Sequence, residues 1–174
     1  REDSIIGAQQ PNEQVLSNGF LNLVYTNGNF TTGFRYESYQ NALLGFPEGY
    51  RGNGITYRFA TYQKEKLTVT AGNFYEQFGN GLSFRAYEER GLGYDNAMDG
   101  IRIKYELMDG VTLTGITGKQ RLFFDFGEGI VRGFDASVSL NSLVPKLKEN
   151  KTKIIFGGSA VSKYQPDQDS RYIL

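Results

Sequence analysis

Apolar and polar residues alternate along most of the chain with a period of two, which is the spacing of β-strands whose two faces meet different surroundings. Residues 19–27, for example, place Leu21, Leu23 and Tyr25 on one face. Turn residues interrupt the alternation at intervals of roughly 10–20 residues, as expected for antiparallel strands. We predict about ten strands, at approximately residues 19–27, 29–39, 55–60, 67–71, 82–87, 101–107, 111–115, 121–126, 130–140 and 153–163.

Short and long connections alternate between these segments. Asn27-Gly28 and Asp109-Gly110 are typical of tight hairpins, because the favoured two-residue turns need positive φ angles. Residues 40–53 form a long loop, and residues 141–152 form a turn region in which Pro145 allows no more than a short helical turn. We therefore divide the chain into an N-terminal segment, residues 1–18, and one β domain, residues 19–174.

The two faces of the predicted strands differ in chemistry, and this difference favours a membrane barrel. One face is apolar or aromatic, whereas the other carries charges at mid-strand, namely Arg35, Glu37, Arg58, Arg102, Lys104, Glu106, Arg121, Asp125 and Asp135. Several strands reach about 9–11 residues, enough for a tilted strand to cross a bilayer. A mean hydropathy of -0.44 beside 13 Phe and 12 Tyr fits a polar lumen within an aromatic outer wall. A soluble exported β-sandwich that binds a glycan or a protein is the alternative fold.

Composition excludes several kinds of chemistry. The chain has no His and no Cys, so it has no imidazole or thiolate for catalysis or metal binding. Lys and Arg number 19 against 19 Asp and Glu, without the basic excess of a nucleic-acid binder. No apolar run approaches the length of a transmembrane helix. We expect no catalytic site, no cofactor and no metal, so the chain is not predicted to be an enzyme.

The most distinctive motif is the run GNFYEQFGNGLSFRAYEERGLGYDN at residues 72–96, followed by DGIRIKYE at residues 99–106. This motif resembles an uncharacterised outer-membrane β-barrel family of the Bacteroidota, and the resemblance extends over residues 19–164. It implies a place in the bacterial outer membrane but no activity. Members of that family are larger. The chain also begins at Arg1 without Met and ends at Leu174 in a new apolar run. We therefore expect a processed or partial chain of an up-and-down transmembrane barrel.

Two groups of residues are candidates for function. A lumen network, either a structural brace or a ligand site, would comprise Arg58, Arg85, Tyr87, Arg90, Asp95, Arg102 and Lys104. A partner loop would use Leu43, Leu44, Phe46 and Tyr50, although these residues can also pack on themselves. Charges of both signs on neighbouring strands can pair and fill a barrel, whereas a selective pore more often shows one dominant sign.

These features predict an accessory or structural subunit of a larger outer-membrane complex, such as a secretion, assembly or uptake machine. Its partners would be outer-membrane lipid and other outer-membrane proteins, and not nucleic acid. A channel for small solutes is the alternative. An outer-membrane hydrolase is the weakest reading, because its chemistry would have to run without imidazole.

Overall fold

The computed structural model describes residues 17–40 and 48–165, and it confirms an all-β, antiparallel fold. The strands are β1 (Asn18–Asn27), β2 (Phe30–Tyr39), β3 (Gly52–Lys64), β4 (Leu67–Phe74), β5 (Glu76–Gln77), β6 (Arg85–Ala86), β7 (Glu88–Glu89), β8 (Tyr94–Asp95), β9 (Met98–Met108), β10 (Val111–Leu122), β11 (Asp125–Phe126), β12 (Ile130–Ser139) and β13 (Ile155–Tyr164). One short helix, α1 (Leu140–Leu143), and three 3-10 turns (Glu48–Tyr50, Arg90–Leu92 and Pro145–Leu147) complete the described elements. None of the described helices is long and apolar enough to cross a membrane.

Eight long strands form one sheet in the order β1-β2-β3-β4-β9-β10-β12-β13, with β11 attached to β10. Every neighbouring pair is antiparallel. Strands β1 and β13 are the two edges, and no pairing between them is found in the described residues. The sheet is therefore open as described, so the antiparallel meander is confirmed and closure into a barrel stays a prediction.

Both predicted hairpins are present, one of them shifted by a residue. The first turn is Gly28-Asn29 rather than Asn27-Gly28, because Asn27 pairs directly with Phe30. Only Gly28 of that turn has a positive φ, of 56°. The second turn is Asp109-Gly110, as predicted, with Gly110 at φ 83°.

The face of the sheet that carries Leu23 is apolar and exposed. Directly paired residues on adjacent strands share a face, so the register places a continuous apolar surface across all eight strands. We call it the apolar face; it includes Leu21, Leu23, Tyr25, Phe34, Tyr36, Tyr62, Leu67, Ile101, Ile103, Tyr105, Phe134 and Phe156. Leu23, Ile103 and Phe134 expose 52%, 46% and 50% of their surface. This exposure is high for apolar residues in mid-sheet.

The opposite face is covered by residues 75–97, which leave the sheet after β4 and return to it at β9; we call them the inserted segment. Phe78, Phe84 and Ala86 of this segment enter the hydrophobic core together with Phe74, Met98, Ile116 and Val131 of the sheet. The predicted strand at 82–87 is reduced to β6, because only Arg85 and Ala86 pair, with β5. Glycines at 79 and 81 with positive φ produce a turn there instead.

Candidate functional site

A ring of four buried charged side chains joins the sheet to the inserted segment. We call it the ionic ring; it consists of Arg35, Glu37, Asp95 and Arg121, none exposing more than 6% of its side chain. The Arg121 Nη2 donates to Glu37 Oε2 at 2.6 Å, and its Nη1 donates to Asp95 Oδ2 at 2.6 Å. The Arg35 Nη2 donates to the same Asp95 Oδ2 at 2.5 Å. Each carboxylate thus lies between two guanidinium groups.

The fourth contact of the ring, between Arg35 and Glu37, is an ion pair without a hydrogen bond. The Arg35 Nε lies 2.7 Å from Glu37 Oε1, but the two groups are not aligned for a hydrogen bond. The attraction between opposite charges does not need that alignment and is strong where water is excluded. The ring as a whole carries two positive and two negative charges, so its burial leaves no uncompensated charge.

The local structure explains why these side chains meet. Arg35 and Glu37 are two residues apart on β2 and therefore point to one face. Arg121 lies near the end of β10, where its Nε also donates to the Phe123 carbonyl oxygen at 2.5 Å. Asp95 comes from β8 of the inserted segment, and its Oδ1 accepts from the Ala97 backbone N–H at 2.9 Å. The ring therefore connects three separate stretches of chain.

Two further residues of the inserted segment extend the ring. The Glu88 Oε1 accepts from Arg35 Nη1 at 3.0 Å. The Tyr75 hydroxyl donates to Asp95 Oδ2 at 3.1 Å. Burial, and then the neighbouring Asp95 carboxylate, raise the pKa of the Tyr75 phenol above its ordinary value. Tyr75 therefore stays protonated and keeps its role as a donor.

A second ionic cluster lies at the start of the inserted segment. Glu76 accepts from Arg102 at 3.3 Å and lies 3.2 Å from the Lys104 ammonium, both on β9. Arg102 also donates to the Tyr75 carbonyl oxygen at 3.1 Å. These contacts attach the beginning of the segment to the sheet as the ionic ring attaches its end.

The structure therefore divides the candidate lumen network into several groups. Asp95 belongs to the ionic ring, and Arg102 and Lys104 belong to the Glu76 cluster. Arg90 is exposed and contacts Glu88, 2.9 Å away. Arg85 is exposed and lies over the Tyr87 ring with its Cζ 4.2 Å from the centroid. These last residues do not form one buried network with Asp95.

Arg58 lies on the other side of the sheet. It pairs directly with Phe34 and so shares the apolar face, while its neighbour Tyr57 pairs with Arg35. A register shift between Arg35 and Tyr36 causes this inversion relative to the alternation expected from the sequence. The exposed Arg58 guanidinium contacts Asp99 at 3.2 Å. It therefore lies away from the ionic ring.

The candidate partner loop is described only at Tyr50, since Leu43, Leu44 and Phe46 lie outside the described residues. Tyr50 is 3% exposed and packs against Phe123 and Tyr39, with ring centroids 5.0 and 5.3 Å away. Its ring is therefore part of the interior and not of a free docking surface.

Sequence reasoning placed Arg35, Glu37 and Arg121 on the charged face but did not find their contact with Asp95. It missed Glu88, which binds Arg35, and Glu76, which binds Arg102; both acidic residues belong to the inserted segment. The signal available was the density of acidic residues in the motif at residues 72–96.

The contacts of the ionic ring attach the inserted segment to the sheet. The carboxylate oxygens of Glu37 and Asp95 accept hydrogen bonds from guanidinium groups and, at Asp95 Oδ1, from a backbone N–H group. In the part of the chain that the structure describes, no group of three or more acidic side chains is arranged to hold a metal ion.

The large antiparallel sheet, its apolar face and the ion-paired inserted segment define the architecture of the described residues. A family model, described as a family of unknown function (DUF6029), matches residues 1–173. The chain belongs to this family. No match was found among curated proteins or among solved structures.

Proposed function

We propose that this chain forms part of the wall of an outer-membrane β-barrel and serves as a structural or accessory subunit of a larger envelope complex. The apolar face is the observation that carries the proposal. Soluble monomers rarely expose a continuous apolar patch larger than a few hundred Å². Here the exposed apolar residues extend over eight strands, a width of roughly 34 Å at the usual spacing between strands.

The strand lengths support a lipid partner for this face. Strands β3, β9 and β10 contain 13, 11 and 12 residues, and a tilted strand needs about 9–11 to cross the hydrocarbon core. Tyr25, Tyr62 and Tyr105 on the apolar face suit the boundary between lipid and water, where aromatic rings are enriched. Hydrocarbon would cover the apolar side chains of this face at no cost in hydration. Arg58, which shares the face, is paired with Asp99, and this pairing would reduce the cost of placing its charge beside lipid.

The inserted segment covers the charged face of the sheet, and this favours a structural role for the protein over a channel function. The inserted segment covers the charged face, and its aromatic residues pack against the sheet with 1–6% exposure at Phe78 and Phe84. The ionic ring and the Glu76 cluster attach both ends of the segment to the sheet. A continuous pore along this face would require the segment to leave.

Cysteine labelling tests the lipid contact, because the native chain has no Cys. Phe134→Cys and Ser137→Cys lie on opposite faces of β12. In liposomes, a charged maleimide should label Ser137→Cys and spare Phe134→Cys, because the reactive thiolate does not form in hydrocarbon; after solubilisation and unfolding, both positions should react. Equal labelling of the two positions in liposomes would contradict the lipid-facing assignment.

Planar-bilayer recording separates the brace from the channel, which is the alternative function. The full protein should give little steady conductance. Large, stable ohmic steps that change when Arg102 is replaced would favour the channel, because Arg102 lies on the charged face.

A further inference from the structure

Beside the inserted segment, the charged face contains a second opening that the ionic ring does not fill. It is an open pocket of about 850 Å³, within the size range of small-ligand sites. Its floor is formed by β9, β10, β12 and β13, and its roof by residues 76–83 of the inserted segment. The pocket therefore has two walls, both held in place by ion pairs or sheet hydrogen bonds.

The floor is a lattice of hydrogen-bonding groups. The sheet register aligns Lys104, Thr114, Asp135 and Ser159 in one row across the four strands. Thr112 and Ser137 form part of the next row. At the usual strand spacing, a row across four strands is about 14 Å long.

The roof adds amides and a hydroxyl above this floor. Gln77, Asn80 and Ser83 line the pocket from the inserted segment, and the Ser83 Oγ lies 3.2 Å from the Ser159 Oγ. Leu82 and Ile155, which are both exposed, add apolar surface to the same pocket. A ligand there would meet donors and acceptors on several sides and apolar surface on others.

The pocket has little net charge. The Lys104 ammonium is paired with Glu76, which also binds Arg102. Asp135 is half-buried and, among the described residues, has no ion-pair partner. Counting Glu76, Arg102, Lys104 and Asp135, the charges cancel. Neither a strongly anionic nor a strongly cationic ligand is favoured by this balance.

We propose that this pocket binds a short, uncharged saccharide of about three sugar rings. Such a molecule offers many hydroxyls that both donate and accept, as Ser, Thr, Asn, Gln and carboxylate side chains require. Its C–H faces suit the apolar surface of Leu82 and Ile155. The Asp135 carboxylate accepts hydrogen bonds from sugar hydroxyls and disfavours acidic sugars. The proposal does not depend on where the protein resides.

The test is titration of the full chain with maltotriose and with chitotriose, followed by saturation-transfer NMR. The protein is held in a detergent without a sugar head group, since a maltoside would compete. We expect saturable binding of at least one of the two. Thr112→Val and Ser137→Ala each remove a floor hydroxyl, and each should weaken binding about fivefold, the equivalent of one hydrogen bond of about 1 kcal/mol.

Thr117→Val is the matched control, because Thr117 lies on the same strand as Thr112 but pairs with Ile101 on the apolar face. It should leave binding unchanged. Absence of binding by both trisaccharides at millimolar concentration would overturn the proposal. So would equal weakening by Thr117→Val and Thr112→Val, or tighter binding of trigalacturonate or trilysine than of the neutral sugars. None of these results would bear on the lipid contact of the apolar face.

Discussion

Arg121 donates hydrogen bonds to both carboxylates of the ionic ring, so its replacement is an informative perturbation. Arg121→Met keeps most of the length and the apolar stem of the side chain but removes its charge. The substitution removes two hydrogen bonds to Glu37, one to Asp95 and one to the Phe123 carbonyl oxygen. Arg35 would then be the one guanidinium of the ionic ring left beside the two carboxylates.

The expected magnitude follows from burial. The side chains of Arg121 and Glu37 are each 2% exposed, so little water can replace the lost partner. Removing one member of a buried ion pair costs about 3–5 kcal/mol. Arg35 continues to neutralise part of the acidic charge, which places the expectation near the lower end of that range. We therefore expect Arg121→Met to lower the free energy of unfolding by about 3 kcal/mol.

The measurement is reversible guanidinium unfolding of the full chain in micelles, followed by circular dichroism and tyrosine fluorescence, since the chain has no Trp. Lys66→Met is the control: its side chain is 46% exposed, and its ion pair with Asp109, 3.6 Å away, is at the surface beside the hairpin turns. Such surface pairs contribute about 0–1 kcal/mol. A loss below about 1 kcal/mol for Arg121→Met, or an equal loss for both variants, would refute the bracing role of the ionic ring.

Two further substitutions test close packing and the Tyr75 contact. Gly100→Ala should destabilise the protein by about 1–3 kcal/mol, because a Cβ there would collide with the Thr117 carbonyl oxygen on the adjacent strand. Gly115→Ala is the control and should be nearly neutral, because the new methyl group would lie in open space. Equal unfolding midpoints for the two variants would contradict this packing. Tyr75→Phe should cost about 1 kcal/mol through loss of the hydroxyl donated to Asp95, and an unchanged midpoint would show that the hydrogen bond contributes nothing.

The strands and their two faces were largely predictable because they depend on how apolar and polar residues alternate along a short stretch of sequence. Alternation along β1, β2 and β9 identified which residues share a face, and short polar turns identified the hairpins. The position of Arg58 was not predictable, because one register shift beside Tyr36 inverts the alternation along part of β3. Local sequence does not specify such a shift, since it depends on pairing with the neighbouring strand.

The ionic ring was beyond sequence reasoning for a different reason. Asp95 lies 60 residues from Arg35, and Glu37 lies 84 residues from Arg121. Which opposite charges meet depends on how the inserted segment folds back over the sheet. Its own strands contain only two residues each and give almost no periodic signal.

The position of the inserted segment has a consequence for the order of folding. Strands β1 to β4 follow one another in sequence and in space, and β9, β10, β12 and β13 are likewise neighbours in that order, so each half can assemble from local contacts. Among the described strands, β4 and β9 are the pair that joins the two halves of the sheet, and their pairing requires closure of the whole loop of residues 75–97. The two halves are therefore expected to form first, and their union is expected to be the slow step. The ion pairs between the inserted segment and the sheet are then expected to form last.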